Sequence, residues 1–176
     1  MLLEASLNFS AIMAAIKSRY QTIGAVCESS RWLAQSMTRA ISGHDSHPIV
    51  ELGAGYGSVT RHLPESAISI ERDKPRFDYL KRTFPDRAIV DSCAISFISR
   101  LERPSVVVSS IPSVNNPEFE DLRSAIRRAY AASLIPELVT YTYFLHNPFG
   151  GIFPKAEVAS FEIRNVPPAF VWRYTC

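Results

Sequence analysis

Three glycines set two apart, in Glu51-Leu52-Gly53-Ala54-Gly55-Tyr56-Gly57-Ser58-Val59-Thr60, are the residues of this chain that point most directly to chemistry. A backbone free of side chains at Gly53, Gly55 and Gly57 turns sharply and comes close to a ligand, with the N–H groups of a following helix aimed at it. Some 18 residues after Gly53, at the end of the next apolar run, stands Glu71. A carboxylate there can accept hydrogen bonds from both hydroxyls of a ribose. Alone, the loop also serves as a structural turn, and Glu71 as a solvated carboxylate paired with Arg72 or Lys74. Together they describe a nucleoside site.

The elements that must hold these residues follow from the hydrophobic pattern. Ile49-Val50-Glu51-Leu52, Ala67-Ile68-Ser69-Ile70, Ala88-Ile89-Val90 and Val106-Val107-Val108 are short apolar runs separated by polar stretches, the alternation of a parallel α/β sheet. Between the second and third, Phe77, Tyr79, Leu80 and Phe84 have helical spacing, and Pro85 stops the helix. Upstream, Phe9, Ile12, Met13, Ile16 and Tyr20 form one stripe of a helix over residues 3–20, with Lys17 and Arg19 off it. A second helix is predicted from Ser29 to Ile41, capped by Ser29 or Ser30, with Trp32, Leu33 and Met37 inward and Gly43 at its end. Further strands are predicted over Leu138 to Phe144, Val158 to Asn165 and Ala169 to Tyr174, the last two joined through Val166-Pro167-Pro168. A parallel sheet closed by an antiparallel hairpin is the order of class I methyltransferases. The predicted fold is therefore α/β and Rossmann-like, a single domain with a helical segment over 1–45 and the core over 46–176.

Composition narrows the field. At 176 residues the chain is long enough to bury a core without disulfides. Its net charge of +2 does not demand a polyanionic partner. Cys27, Cys93 and Cys176 match neither a disulfide framework nor a zinc site, so no metal is expected and reduced cytosolic thiols fit best. Glu4 stands where a secretory signal is basic, and no apolar run reaches the ~18 residues of a membrane span.

Two further segments lie where a nucleoside cofactor and its reaction partner would meet. Asp91-Ser92-Cys93-Ala94 follows the third strand, and Cys93 reads as a small apolar filler because nothing nearby activates a thiolate. Ser109-Ser110-Ile111-Pro112-Ser113 follows the fourth, where amine methyltransferases place a proline turn that aligns the amine lone pair. Tyr141 and Tyr143 alternate along the fifth strand; they either pack the sheet or hold an ammonium by cation–π attraction. His146 is either a surface histidine or the group that takes a proton from the incoming ammonium. Arg123, Arg127 and Arg128 fall within one helical turn and form either a phosphate-facing patch or a solvated face.

Several of these segments together resemble the bacterial phospholipid N-methyltransferases. They are Ile23 to Ser30, Glu51 to Thr60, Val107 to Pro112, Thr140 to Pro148 and, most specifically, the tail Arg164-Asn165-Val166-Pro167-Pro168-Ala169-Phe170-Val171-Trp172-Arg173-Tyr174. The chain departs from the family at Glu28 and at Ser110-Ile111, where the family carries proline and Gly-Leu. The resemblance implies S-adenosylmethionine as cofactor and S-adenosylhomocysteine as product. It assigns the cofactor to Glu51 at the methionine end, Gly53, Ala54, Gly55, Tyr56, Gly57, Glu71, Arg72, Asp91, Ser92, Cys93 and Ser109. Ser109, Ser110, Ile111, Tyr141, Tyr143 and His146 fall to the acceptor side. It implies methylation of phosphatidylethanolamine and its methylated derivatives toward phosphatidylcholine. The protein would be cytoplasmic and peripheral on the inner face of the membrane, held to anionic lipid by the first helix. Two rivals share the motifs: an RNA adenine N6-methyltransferase, which would need an aromatic at Ser113 to stack on a base, and a cofactor-binding membrane module without turnover.

Overall fold

A computed structural model of the chain describes residues 29–42, 46–143 and 145–176. The helix expected over 3–20, Cys27, Gly43 and Phe144 lie outside the described residues. Seven strands form one sheet: β1 (Ile49–Leu52), β2 (Ile68–Glu71), β3 (Ala88–Asp91), β4 (Val106–Ser109), β5 (Glu137–Thr142), β6 (Lys155–Glu162) and β7 (Ala169–Thr175), in the order β3-β2-β1-β4-β5-β7-β6. The first five are parallel; β7 runs antiparallel between β5 and β6. This is the Rossmann-like, mostly parallel sheet with a terminal antiparallel hairpin that the pattern of short apolar runs predicts.

Strands β1, β4 and β5 are buried along their whole length, as a sheet covered on both faces requires. Val50, Leu52, Val107 and Leu138 pack with Leu122 and Ile126 of a helix (α4, Phe119–Ala131) and Ile98 of a short one (α3, Ala94–Ile98). The opposite face sets Val106, Val108, Val139 and Val171 against Leu33 and Met37 of α1 (Arg31–Arg39). Ser30 caps α1, its Oγ accepting from Leu33 N at 3.2 Å. Helix α2 (Lys74–Thr83) begins at Asp73, whose carboxylate accepts from Arg76 N, and lays Leu80 with Phe77 and Phe84 against Ala54.

Three expectations are corrected. Trp32 does not point into the core: it is half-buried between the guanidinium groups of Arg31 and Arg164, 4.1 and 4.2 Å from its ring. The fifth strand ends at Thr142, and the sixth spans Lys155–Glu162 rather than reaching Asn165. Asn165 is instead a buried clamp, its Oδ1 accepting from Ser30 N at 3.1 Å and its Nδ2 donating to Pro167 O at 2.7 Å. Among the described residues no helix is long and apolar enough to cross a membrane.

Strand order reverses between β1 and β4, and such a switch point opens a crevice outside the carboxyl ends of the strands. The glycine loop leaves β1 there and the Ser109–Ser113 loop leaves β4 there, so the fold brings both expected halves of the site to one edge.

Candidate functional site

The glycine loop is built by backbone bonds and two steric constraints. Gly53 N and Ala54 N both donate to Ile70 O at 3.0 Å, folding the chain back over β2. All three glycines have positive φ, +74°, +59° and +82° in order. A Cβ on Gly53 would meet Ile111 Cγ1 at 2.8 Å, and one on Gly57 would run into the Phe84 ring and Leu80. A Cβ on Gly55 would have no atom within 4 Å, so there the loop faces open space. Tyr56 packs edge-to-face on Tyr79 at 5.3 Å.

Glu71 supports the loop from the end of β2. Its Oε2 accepts from Gly55 N at 2.8 Å and its Oε1 from Asp73 N at 2.8 Å, in a nearly buried setting. Each oxygen retains a further lone pair, so the carboxylate can hold the loop and still accept from a ligand.

Glu51 lies beneath the loop and is fully buried. Its Oε2 accepts from Thr60 Oγ1 at 2.7 Å and Ser69 Oγ at 2.6 Å, while its Oε1 is buried without a partner among the described residues. Burial pushes its carboxyl above the usual carboxylate range, against the pull of those two hydroxyls.

Arg72, Asp91, Ser92 and Cys93, which the resemblance assigns to the cofactor, spread along the carboxyl ends of β2 and β3. Asp91 pairs in register with Glu71, is half-exposed, and has Lys74 Nζ at 3.8 Å. Ser92 N donates to Glu71 O at 3.3 Å, and its Oγ turns to Cys93 O. Arg72 donates to Glu118 Oε2 at 2.5 Å, and that bond raises its pKa. Cys93 is a half-buried free thiol at the start of α3. A separate cleft, lined by Val50, Ile68, Val90, Phe97 and Arg100, meets this region at Asp91 and Ser92.

On the other side of the switch point, Ser110 N donates to Leu52 O at 2.9 Å, tying the β4 loop to the root of the glycine loop. Ser109 is buried, and its carbonyl accepts from Thr140 Oγ1 at 2.9 Å. Ser110 Oγ is buried without a hydrogen-bond partner among the described residues. Ser113 Oγ and His146 Nε2 lie 3.0 Å apart. Tyr141 and Tyr143 touch edge-to-face at 5.4 Å at the end of β5.

The Ser113–His146 pair, the Gly53–Ile111 contact and the Thr140 bond escaped sequence reasoning. The only signal for any of them was that both loops follow adjacent strands. Arg123 fits neither the phosphate-facing nor the solvated reading: its guanidinium donates to Pro148 O at 3.0 Å and Gly150 O at 2.6 Å, bracing the loop that carries His146. Arg127 and Arg128 are exposed. No group able to hold a metal ion occurs among the described residues.

The chain is similar to an ornithine lipid N-methyltransferase of Singulisphaera acidiphila, 28% identical over 163 residues, 84% of this chain and 85% of that protein. Among solved structures, a TehB-like SAM-dependent methyltransferase from Corynebacterium glutamicum matches with a TM-score of 0.56 at 15% identity, over 94% of this chain and 98% of that one. TrmN from Thermus thermophilus matches at 0.58 and 13% identity, over 82% of this chain and 48% of that one. No family model matches. The chain has the class I methyltransferase fold, and a lipid N-methyltransferase stands among its relatives, in line with the resemblance carried by the glycine loop and the tail.

Proposed function

We propose that this protein transfers a methyl group from S-adenosylmethionine to the amine of a membrane lipid headgroup, phosphatidylethanolamine or an ornithine lipid. The observation that carries the reading is the meeting, at one sheet edge, of a nucleoside cradle and a loop suited to an amine. The cradle is the Gly53–Gly57 loop with Glu71; the amine loop is Ser109–Ser113 with His146; Gly53 and Ile111 join them. The relation to an ornithine lipid N-methyltransferase supports a lipid acceptor.

The residues fit the cofactor. Open space above Gly55 admits a ligand against the backbone, and Glu71 has lone pairs left for two ribose hydroxyls. When bound, S-adenosylmethionine supplies an electrophilic methyl and leaves as S-adenosylhomocysteine. Glu51 steadies the loop through Thr60 and Ser69 with one oxygen, and its other oxygen, buried without a partner among the described residues, is the acceptor left for the methionine end of the cofactor.

Asp91, half-exposed at the end of β3, is assigned to the adenine edge, and Arg72, paired with Glu118, to the cofactor's flank. The acceptor nitrogen must lose a proton before its lone pair can attack, and His146, hydrogen-bonded to Ser113, is the titratable group on the acceptor side that can take it. Ser110 Oγ, without a partner among the described residues, is assigned to aligning the amine, and the rings of Tyr141 and Tyr143, which pack together on the α1 side of the sheet, to its cation. The protein would act at the cytoplasmic face of the membrane.

Incubation with methyl-labelled S-adenosylmethionine and anionic vesicles carrying phosphatidylethanolamine or ornithine lipid, with RNA in a parallel tube, tests the reading. Label in either lipid, lost in Glu71→Gln, is expected. Label in RNA, or cofactor binding with no transfer to any acceptor, overturns it.

A further inference from the structure

Of the large apolar side chains exposed among the described residues, all but Val158 lie at the edge of the sheet that bears the candidate site. Val114 and Leu145 stand on the loops after β4 and β5. Phe161, Ile163 and Val166 stand at the end of β6 and on the turn into β7. The register fixes this placement: Thr142, the last residue of β5, pairs with Phe170, and Glu162 pairs with Ala169, so the β6–β7 turn projects beyond the carboxyl ends of the parallel strands. Three strand spacings of about 5 Å separate β4 from β6, which puts the turn roughly 15 Å from the Ser109 loop.

Side chains this apolar and this exposed are unfavourable in water: Leu145 is 70% exposed, Ile163 67% and Val166 81%. The turn is nevertheless held rigidly, because Asn165 is bonded to Ser30 and to Pro167, and Glu162 takes both a Ser36 hydroxyl and the Arg164 guanidinium. Beside it, Trp32 lies between two guanidinium groups. Arg164 is neutralised by Glu162, whereas Arg31 has no carboxylate partner among the described residues. An aromatic flanked by cations, next to projecting aliphatic side chains and with the Arg31 charge unneutralised among the described residues, matches the boundary between lipid headgroups and acyl chains.

We infer that the β6–β7 turn, with Leu145, is a lipid-inserting rim that seats the open edge of the sheet on an anionic bilayer. The occupant is the bilayer surface itself. Seated this way, the Ser109–Ser113 loop and His146 face headgroups directly, and an amine lipid enters without leaving the membrane. This second point rests on the reading of the site as a lipid methyltransferase; the insertion does not.

The test uses the full chain, without cofactor, cosedimented with vesicles of phosphatidylglycerol and phosphatidylcholine. Ile163→Ser with Val166→Ser removes the two most projecting side chains of the turn, and their exposure predicts an unchanged melting temperature. Partition onto vesicles should fall at least about tenfold in the double variant. Arg31→Gln should reduce the preference for anionic over neutral vesicles. Partition of the double variant equal to that of the wild type, as when another segment alone provides the anchor, overturns the inference, and so does a wild-type protein that stays in the supernatant. A short-chain amine phospholipid below its micellar concentration separates the two claims. If neither protein methylates it while the vesicle contrast stands, the methylation reading fails and the rim survives.

Discussion

Gly55→Ala and Gly57→Ala alter the same loop by the same methyl group, yet the structure assigns them opposite consequences. At Gly57 the new Cβ meets the Phe84 ring and Leu80, packed from α2, in a backbone at φ +82°. Forcing L-alanine into the left-handed region costs about 1 kcal/mol and overpacking adds roughly 1–3 kcal/mol, for a total of about 2–4 kcal/mol. At this chain length that is a fall in Tm of roughly 4–16 °C. At Gly55, with φ +59° and no atom within 4 Å of the added carbon, only the backbone penalty remains, a fall of roughly 2–4 °C. The same carbon projects into the space assigned to the cofactor, so S-adenosylmethionine should bind at least about tenfold more weakly, a loss of about 1.4 kcal/mol. Thermal melts and calorimetric titration of the two variants decide the matter. A Gly55→Ala protein that binds the cofactor like the wild type would refute the assignment of that face to the ligand.

Three other outcomes follow from the interior. Hydrogen bonds from Arg164 hold the Glu162 carboxyl down to about 2, against an ordinary 4.5. The stability it contributes is complete above pH 4.5 and disappears as pH falls toward 2, and Arg164→Gln should flatten acid unfolding in that window. Glu51 has the opposite sign. Burial raises its pKa, so stability should fall as pH rises from 4.5 through the raised value; Glu51→Gln should abolish that slope in urea melts without lowering stability at neutral pH. Trp172→Phe removes the indole N–H that donates to Thr142 Oγ1 at 3.0 Å, along with buried ring volume, and should cost about 2 kcal/mol, a drop in Tm of roughly 4–8 °C.

The parts of the fold legible in the sequence are those encoded locally. Ile49–Leu52 and Val106–Ser109 are apolar apart from Glu51 and Ser109 because both their faces are covered, and Gly53, Gly55 and Gly57 announce a backbone turn that larger residues would obstruct. Glu71 is visible through its distance from that loop. What the sequence conceals is pairing across long separations. Nothing near Ser113 indicates His146, and nothing near Ser30 indicates Asn165; adjacency of strands in the folded sheet creates both contacts. The tail is the strongest mark of resemblance, yet its described contacts are structural: Asn165 clamps α1, Trp172 bonds Thr142, and Tyr174 donates to Asn147 at 2.8 Å. A diagnostic string can thus identify relatives through packing.

Mass spectrometry of amine lipids recovered after reaction with S-adenosylmethionine tests the central claim most directly, because it reads cofactor, acceptor and site together. The account predicts phosphatidylethanolamine or ornithine lipid heavier by whole methyl increments on the headgroup nitrogen, with the product absent in Glu71→Gln and reduced in His146→Ala. Lipids of unchanged mass after incubation with a folded, cofactor-binding protein would contradict it.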